Sequence, residues 1–326
     1  MAPRSSPTPT TPCSDMVIRA TRILLSVQLL IAAALYLLAI KRFNMSNHLL
    51  AALLAIGVVL LVRMAITANN FGLAWLYRSE TPDHHKLSRA AAIRLFLAEY
   101  CASMITSSWT MGFCTFREWQ GKTDLPPVLL VHGYGCNSGY WHFMSRALRR
   151  ADISHYTIDL EPVFAGIDQF VPALHARIEE ICRLTGQSKL IIVGHSMGGL
   201  VARAYLRDHG AARVARVITL GTPHRGTGLA RFGAGHNSRQ MRWRGNATEG
   251  RCSAWLARLE RSEDPAVRSL FISLYSHQDN IVSPQLSSSL PGAVNIEFNG
   301  VGHVALGMHP RILGEVIAAI RHVRAG

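Results

Sequence analysis

Three positions, far apart in the chain, carry the residue types of a nucleophilic acyl-transfer site. Ser196 lies in "GHSMG", a G-x-S-x-G spacing between the apolar run "LIIV" and the helix-like "GLVARAYLRDHG". A strand that turns sharply into a helix around a strained serine leaves no room for side chains two residues to either side. Gly194 and Gly198 therefore read as a nucleophile elbow. A serine hydroxyl is a weak nucleophile near neutral pH and needs a base within hydrogen-bond reach. Asp279 in "HQDNIVSP" stands just past the strand-like "LFISLYS", and His303 in "GVGHVAL" follows "VNIEFNG". Nucleophile, acid and base in that chain order fit one arrangement of a Ser-His-Asp triad.

Other residues compete for these roles. Asp159 and Asp168 precede the serine, and Asp168 reads as a helix N-cap; Asp264 is followed by a proline in an irregular stretch. His195 is locked into the elbow and expected to point away from the serine. His309 precedes Pro310, a helix-start signal. An oxyanion needs two donors: the backbone N–H of Met197, and one from "HGYGCNSGYW", assigned to Tyr134. The other reading of that glycine-rich segment is a plain tight turn.

The elements that must position these groups alternate. "PPVLLV", "SHYTIDL", "SKLIIVGHS", "RVARVITL", "SLFISLYS" and "AVNIEF" read as strands. Between them lie "SGYWHFMSRALRRA", "IDQFVPALHARIEEICRLTG" and "MGGLVARAYLRDHG" with helical spacing, the last two stopped by glycine, and a closing helix covers about 311–323. The fold class is α/β: a mostly parallel sheet with helices on both faces, its site in the loops at the strands' carboxyl ends. Domain boundaries follow: a disordered, Pro- and Ser-rich tail at 1–16, a transmembrane hairpin at 17–68, an amphipathic connector at 69–115 and the α/β domain at 116–326.

The hairpin rests on two apolar stretches. Residues 23–40 carry no charge, and the stretch from Leu49 to Ile66 carries only Arg63, expected to snorkel to the interface. A cleavable signal peptide is the other reading of the first stretch; its distance from the N-terminus and the absence of a small-x-small site before "KRF" argue against it. Arg4, Arg19 and Arg22 ahead of the first apolar stretch, with Arg63 and Arg78 at and beyond the end of the second, outnumber Lys41 and Arg42 in the loop between them, which favours a cytoplasmic α/β domain. With 34 Lys+Arg against 20 Asp+Glu the formal charge is +14. The basic residues are scattered arginines with no aromatic-interleaved run, so the charge points to an anionic membrane surface and away from nucleic acid. The six cysteines show neither metal-ligand spacing nor a pairing pattern, and no cofactor or metal is expected. Oligomeric state is not encoded in any pattern here.

With those residues in hand, the chain resembles the α/β-hydrolase superfamily, and within it bacterial lipases and esterases of the triacylglycerol lipase type. The matching segments are "VLLVHGYGCNSGYW", "IIVGHSMGGLVARAYL", "VITLGTPHRGT", "YSHQDNIVSP" and "GVGHVAL", covering about 116–326. The resemblance implies an α/β-hydrolase fold, a cap insertion at about 228–265 after "TLGTPHRGT", and cleavage of acyl esters, lipids foremost, through an acyl-enzyme. The cap reads either as a mobile lid carrying Trp243 and Trp255 or as an ordinary surface excursion. The hairpin departs from secreted lipases and implies a bacterial inner-membrane enzyme. Two alternatives share the same residues: an acyltransferase with an alcohol acceptor, and a non-catalytic membrane-tethered binding module.

Overall fold

The computed structural model describes residues 15–323. The tail expected at 1–16 lies outside them, except for Asp15 and Met16, which open the first helix. Uninterrupted apolar sequence gives two long helices, α1 (Asp15–Arg42) and α2 (His48–Tyr77). Both are long and apolar enough to cross a bilayer, with mean hydropathies of 2.5 and 2.7. Asn47 caps α2, its side chain accepting the Leu50 N–H at 3.0 Å. Arg63 departs from expectation. Its guanidinium turns inward, donating to Gln28 Oε1 at 3.1 Å, Ser108 Oγ at 2.8 Å and Ser107 Oγ. A cation that finds three oxygens in the helical bundle has no reason to reach for the interface.

α2 also continues well beyond residue 68. A short 3-10 turn, Asp83–His85, leads into α3 (Arg89–Ile105), which passes through a π-helical turn, Thr106–Thr110, into α4 (Met111–Phe113). The expected connector is therefore the end of α2 plus a helix packed on α2 and on the sheet domain, with Leu95, Glu99 and Ala102 buried.

The sheet forms from β1 (Val128–Val131), β2 (His155–Ile158), β3 (Leu190–His195) and β4 (Val214–Leu220), with β7 (Phe271–Ser276) and β8 (Val294–Phe298) completing it after a two-stranded hairpin, β5 (Trp243–Arg244) and β6 (Arg251–Cys252). Its order is β2-β1-β3-β4-β7-β8, with every neighbouring pair parallel. Both faces are covered, so β1 and β3 are apolar at every position from 128 to 131 and 190 to 193, with alternate residues serving opposite layers. Leu129, Val131 and Ile192 pack under α6 (Val171–Thr185), α7 (Met197–His209) and α9 (Ala254–Ser262). Val128, Leu130 and Val193 pack under α5 (His142–Arg150) and α10 (Pro310–Arg321). The glycine stop expected after α6 is there: Gly186 closes it with φ +68°.

Chain order places β2 on one side of β1 and β3 on the other. The loops leaving the carboxyl ends of β1 and β3 therefore diverge, which opens a crevice at that point. Ser196 and Tyr134 both emerge there. The segment expected as a cap holds the 3-10 turn Gly228–Phe232, α8 (Gly235–Gln240), the β5–β6 hairpin and α9.

Candidate active site

Ser196 follows β3 directly and precedes α7, with φ +53° and ψ −122°, a conformation that L residues avoid. The fold over-determines this strain. The Ser196 N–H donates to Leu220 O at 2.9 Å, tying the elbow to β4. A Cβ on Gly194 would lie 2.7 Å from the Gly199 nitrogen, and one on Gly198 would run into the Val131 carbonyl oxygen. Only glycine allows α7 to sit this close to β1. Met197 is the first residue of α7, so its amide belongs to the helix's positive end.

Asp279, buried just after β7, accepts from His303 Nδ1 at 2.8 Å through Oδ2 and from the Ile281 and Val282 N–H groups at 2.8 and 2.7 Å through Oδ1. His303 is set in turn by its own N–H, which donates to Asn280 Oδ1 at 2.9 Å. Burial alone would push the His303 imidazole down; the carboxylates of Asp279 and Glu99 outweigh it and hold the pKa above the ordinary histidine value. Gly221, at φ +54° after β4, completes the wall: a Cβ there would lie 3.0 Å from Asp279 Oδ2 and 3.2 Å from His303 Nδ1.

The competing residues are engaged elsewhere. Asp159 takes the Ser138 N–H at 2.6 Å, and Asp264 caps the 3-10 turn Pro265–Leu270. Asp168 is not the helix N-cap that the sequence suggests. It lies within the turn Ile167–Phe170, where it accepts from Arg207 at 2.9 Å and Trp255 Nε1 at 2.7 Å, pinning α9 to α7. His195 faces behind the elbow, stacked on Tyr140 at 4.2 Å, with Nε2 donating to His303 O at 3.2 Å. Burial holds its pKa well down, so it is a neutral spacer. His309 caps α10.

Tyr134 stands in the loop after β1. Its ring lines a cavity of about 500 Å³ that Ser196 also lines, and its hydroxyl donates to Ala234 O and accepts from Ala234 N–H, bridging to the cap segment. The other walls include Leu229, Met241 and Val282. Three wall residues, Asn69, Asn70 and Leu73, come from the last turns of α2, which sequence reading assigned to a connector. Ser283 Oγ donating to Ala74 O at 2.6 Å, and Arg231 donating to Tyr77 Oη at 3.0 Å, stitch that end of α2 to the sheet domain.

One group with metal-ligand chemistry lies outside the cavity. His85, His277 and Glu297 bring three ligand atoms within 4.8 Å of one another, joined here by bonds to Glu297 Oε2 at 3.3 Å from His85 and 2.8 Å from His277. The described cysteines, Cys101, Cys114, Cys136, Cys182 and Cys252, are free thiols.

The alpha/beta hydrolase fold family matches residues 126–242. The chain has the α/β-hydrolase fold. The triacylglycerol lipase of Pseudarthrobacter phenanthrenivorans is 32% identical over 114 residues, 32% of this chain and 35% of that protein. The triacylglycerol lipase of Burkholderia plantarii is also 32% identical over 114 residues, 32% of each chain. The chain thus spans about a third of the length of the curated relatives it matches. The mature form of a Bacillus licheniformis lipase superimposes with a TM-score of 0.52 at 18% identity, covering 63% of this chain and 96% of that one. That likeness is one of fold.

Proposed function

We propose that this α/β hydrolase is a membrane-anchored serine ester hydrolase that cleaves acyl esters of lipid character through an acyl-enzyme. The observation that carries the reading is the buried Asp279–His303 hydrogen bond at 2.8 Å, whose histidine accepts through its backbone carbonyl from His195, the residue before a strained serine that lines a largely apolar cavity. With Nδ1 committed to Asp279, His303 Nε2 takes the proton from Ser196 Oγ as the oxygen attacks the ester carbonyl. The oxyanion is received by the Met197 and Tyr134 N–H groups. His303 then returns the proton to the leaving alcohol, and water repeats the sequence on the acyl-serine. Asp279 keeps the imidazole in the required tautomer and stabilises its cation.

Anchoring is supported by α1 and α2, which expose large apolar side chains along their length. Because the last turns of α2 wall the cavity, an acyl chain leaving a bilayer along α2 would arrive beside Ser196. The 23–40 and 49–66 stretches form the hairpin in this reading, and the arginine asymmetry favours the sheet domain on the cytoplasmic face of a bacterial inner membrane. The triacylglycerol lipase names of the relatives add support for an ester substrate. Hydrolysis of an ester series of increasing acyl length by the detergent-solubilised chain tests the reading. Wild-type hydrolysis that disappears in Ser196→Ala is expected; equal rates in the two proteins would refute it.

A further inference from the structure

Glu99 lies in the middle of α3, outside the sheet domain, and is fully buried. Its two oxygens accept consecutive backbone N–H groups: Val304 to Oε1 at 2.9 Å and Ala305 to Oε2 at 3.0 Å. These are the two residues that follow His303. On the other side, a Cβ at Gly302 would run into the same carboxylate. The carboxylate therefore abuts the chain both immediately before and immediately after His303.

Burial pushes the Glu99 carboxyl above its ordinary value, while the two backbone N–H bonds and the neighbouring His303 pull the other way, toward the anion whose oxygens both accept. Among the described residues no lysine or arginine pairs with it. A buried carboxylate without a basic partner carries a heavy solvation cost, and a neutral side chain could satisfy two turn amides more cheaply. The retained charge calls for a counterpart, and the imidazolium formed during turnover is the cation available.

We propose that Glu99 is a positioning residue for His303: from α3 it fixes the His303 backbone and supplies, beside Asp279, a second negative charge that stabilises the imidazolium. This rests on the Ser196–His303–Asp279 reading above. The groups facing His303 are few. Asp279 comes from the loop after β7 and Glu99 from α3. His195, with its ring 4.6 Å away, stays neutral because burial lowers its pKa. Burial pushes Tyr140 and Cys136, behind His195, upward, so both are uncharged. The field at His303 is thus set by two carboxylates, and both raise its pKa against the effect of burial.

The test uses the full chain in detergent, a water-soluble short-chain nitrophenyl ester, and a phosphonate titration to count active sites. Glu99→Gln keeps the shape and removes the charge. The expected result is a fall in kcat of about tenfold or more with KM held within about twofold, and an acid limb of the pH–rate profile displaced by about half a unit toward lower pH. An acid limb that stays in place overturns the proposal, whatever happens to thermal stability, because a purely structural brace would leave the titration of His303 untouched. Should Glu99→Gln fail to fold, Glu99→Asp decides. It keeps the charge but falls one methylene short of the two N–H groups, so a several-fold kcat loss at constant KM supports the proposal and an unchanged kcat overturns it. Ser196→Ala, run in parallel, separates the two levels. Ser196-dependent turnover with unaffected Glu99 variants removes this proposal alone, whereas wild-type turnover that does not depend on Ser196 removes both.

Discussion

In the proposed mechanism His303 serves as a base and must be neutral to do so, and its pKa is held above the ordinary histidine value of about 6.5. The sign follows directly. As pH falls through the raised pKa the imidazole gains its proton first and activity is lost, so the acid limb of kcat/KM is expected above pH ~6.5. Asp279→Asn removes one of the two charges and the tautomer lock together. It should lower kcat by roughly 10⁴-fold and move the residual acid limb downward. A pH–rate profile of wild type and variant checks both; an acid limb below the ordinary histidine range in the wild type would contradict this account of His303. The candidates Ser196, Asp279 and His303 stand out in the sequence because each lies next to an apolar strand, at a position where a parallel sheet places its loops. Glu99 does not. It belongs to a helix with no motif, and its importance exists only once α3 is packed against the His303 loop. Gly221 was equally silent, since "LGTP" reveals the end of a strand but not that two catalytic candidates crowd its α-carbon.

At the scale of elements, the elbow is held by close backbone approach and the cap by buried charge. A Gly198→Ala variant must push α7 away from the Val131 carbonyl, which costs about 1–3 kcal/mol by overpacking and displaces the Met197 amide. The expected outcome is a lowered melting temperature and a loss of kcat larger than stability explains. α7 also carries Arg203, which is buried and bonded twice to Glu263 at 2.6 Å and to His224 O at 2.9 Å. Arg203→Met would leave the buried Glu263 with Arg268 Nη2 at 3.3 Å as its cationic partner, destabilising the fold by about 1–3 kcal/mol; chemical denaturation measures it, and a change below ~1 kcal/mol would mean the pair is dispensable. The strand and helix alternation was readable because both sheet faces are covered, giving apolar runs punctuated by glycine. The interior of the cap was not, because its short hairpin and turns are fixed by tertiary bonds such as those of Asp168 to Arg207 and Trp255. The same bonds explain why Asp168 does not serve as a helix cap.

For the whole molecule, α2 and the sheet domain share the walls of one cavity. α2 reads in sequence as an apolar run with a polar end, and nothing in that run marks Asn69, Asn70 and Leu73 as cavity wall. If acyl chains reach Ser196 along α2, Leu73→Trp should fill that wall and lower kcat/KM for long-chain esters by about tenfold or more, while short-chain esters are little affected. Equal losses across the series would mean that the acyl group lies elsewhere in the cavity. The claim on which all of this depends is that Ser196 is the nucleophile and His303 its base. Labelling the full chain with a fluorophosphonate and locating the adduct by mass spectrometry tests it most directly. One adduct per chain is expected, on Ser196, absent from Ser196→Ala and formed at least about a hundredfold more slowly in His303→Ala. An unlabelled wild type, or an adduct on any other residue, would contradict it.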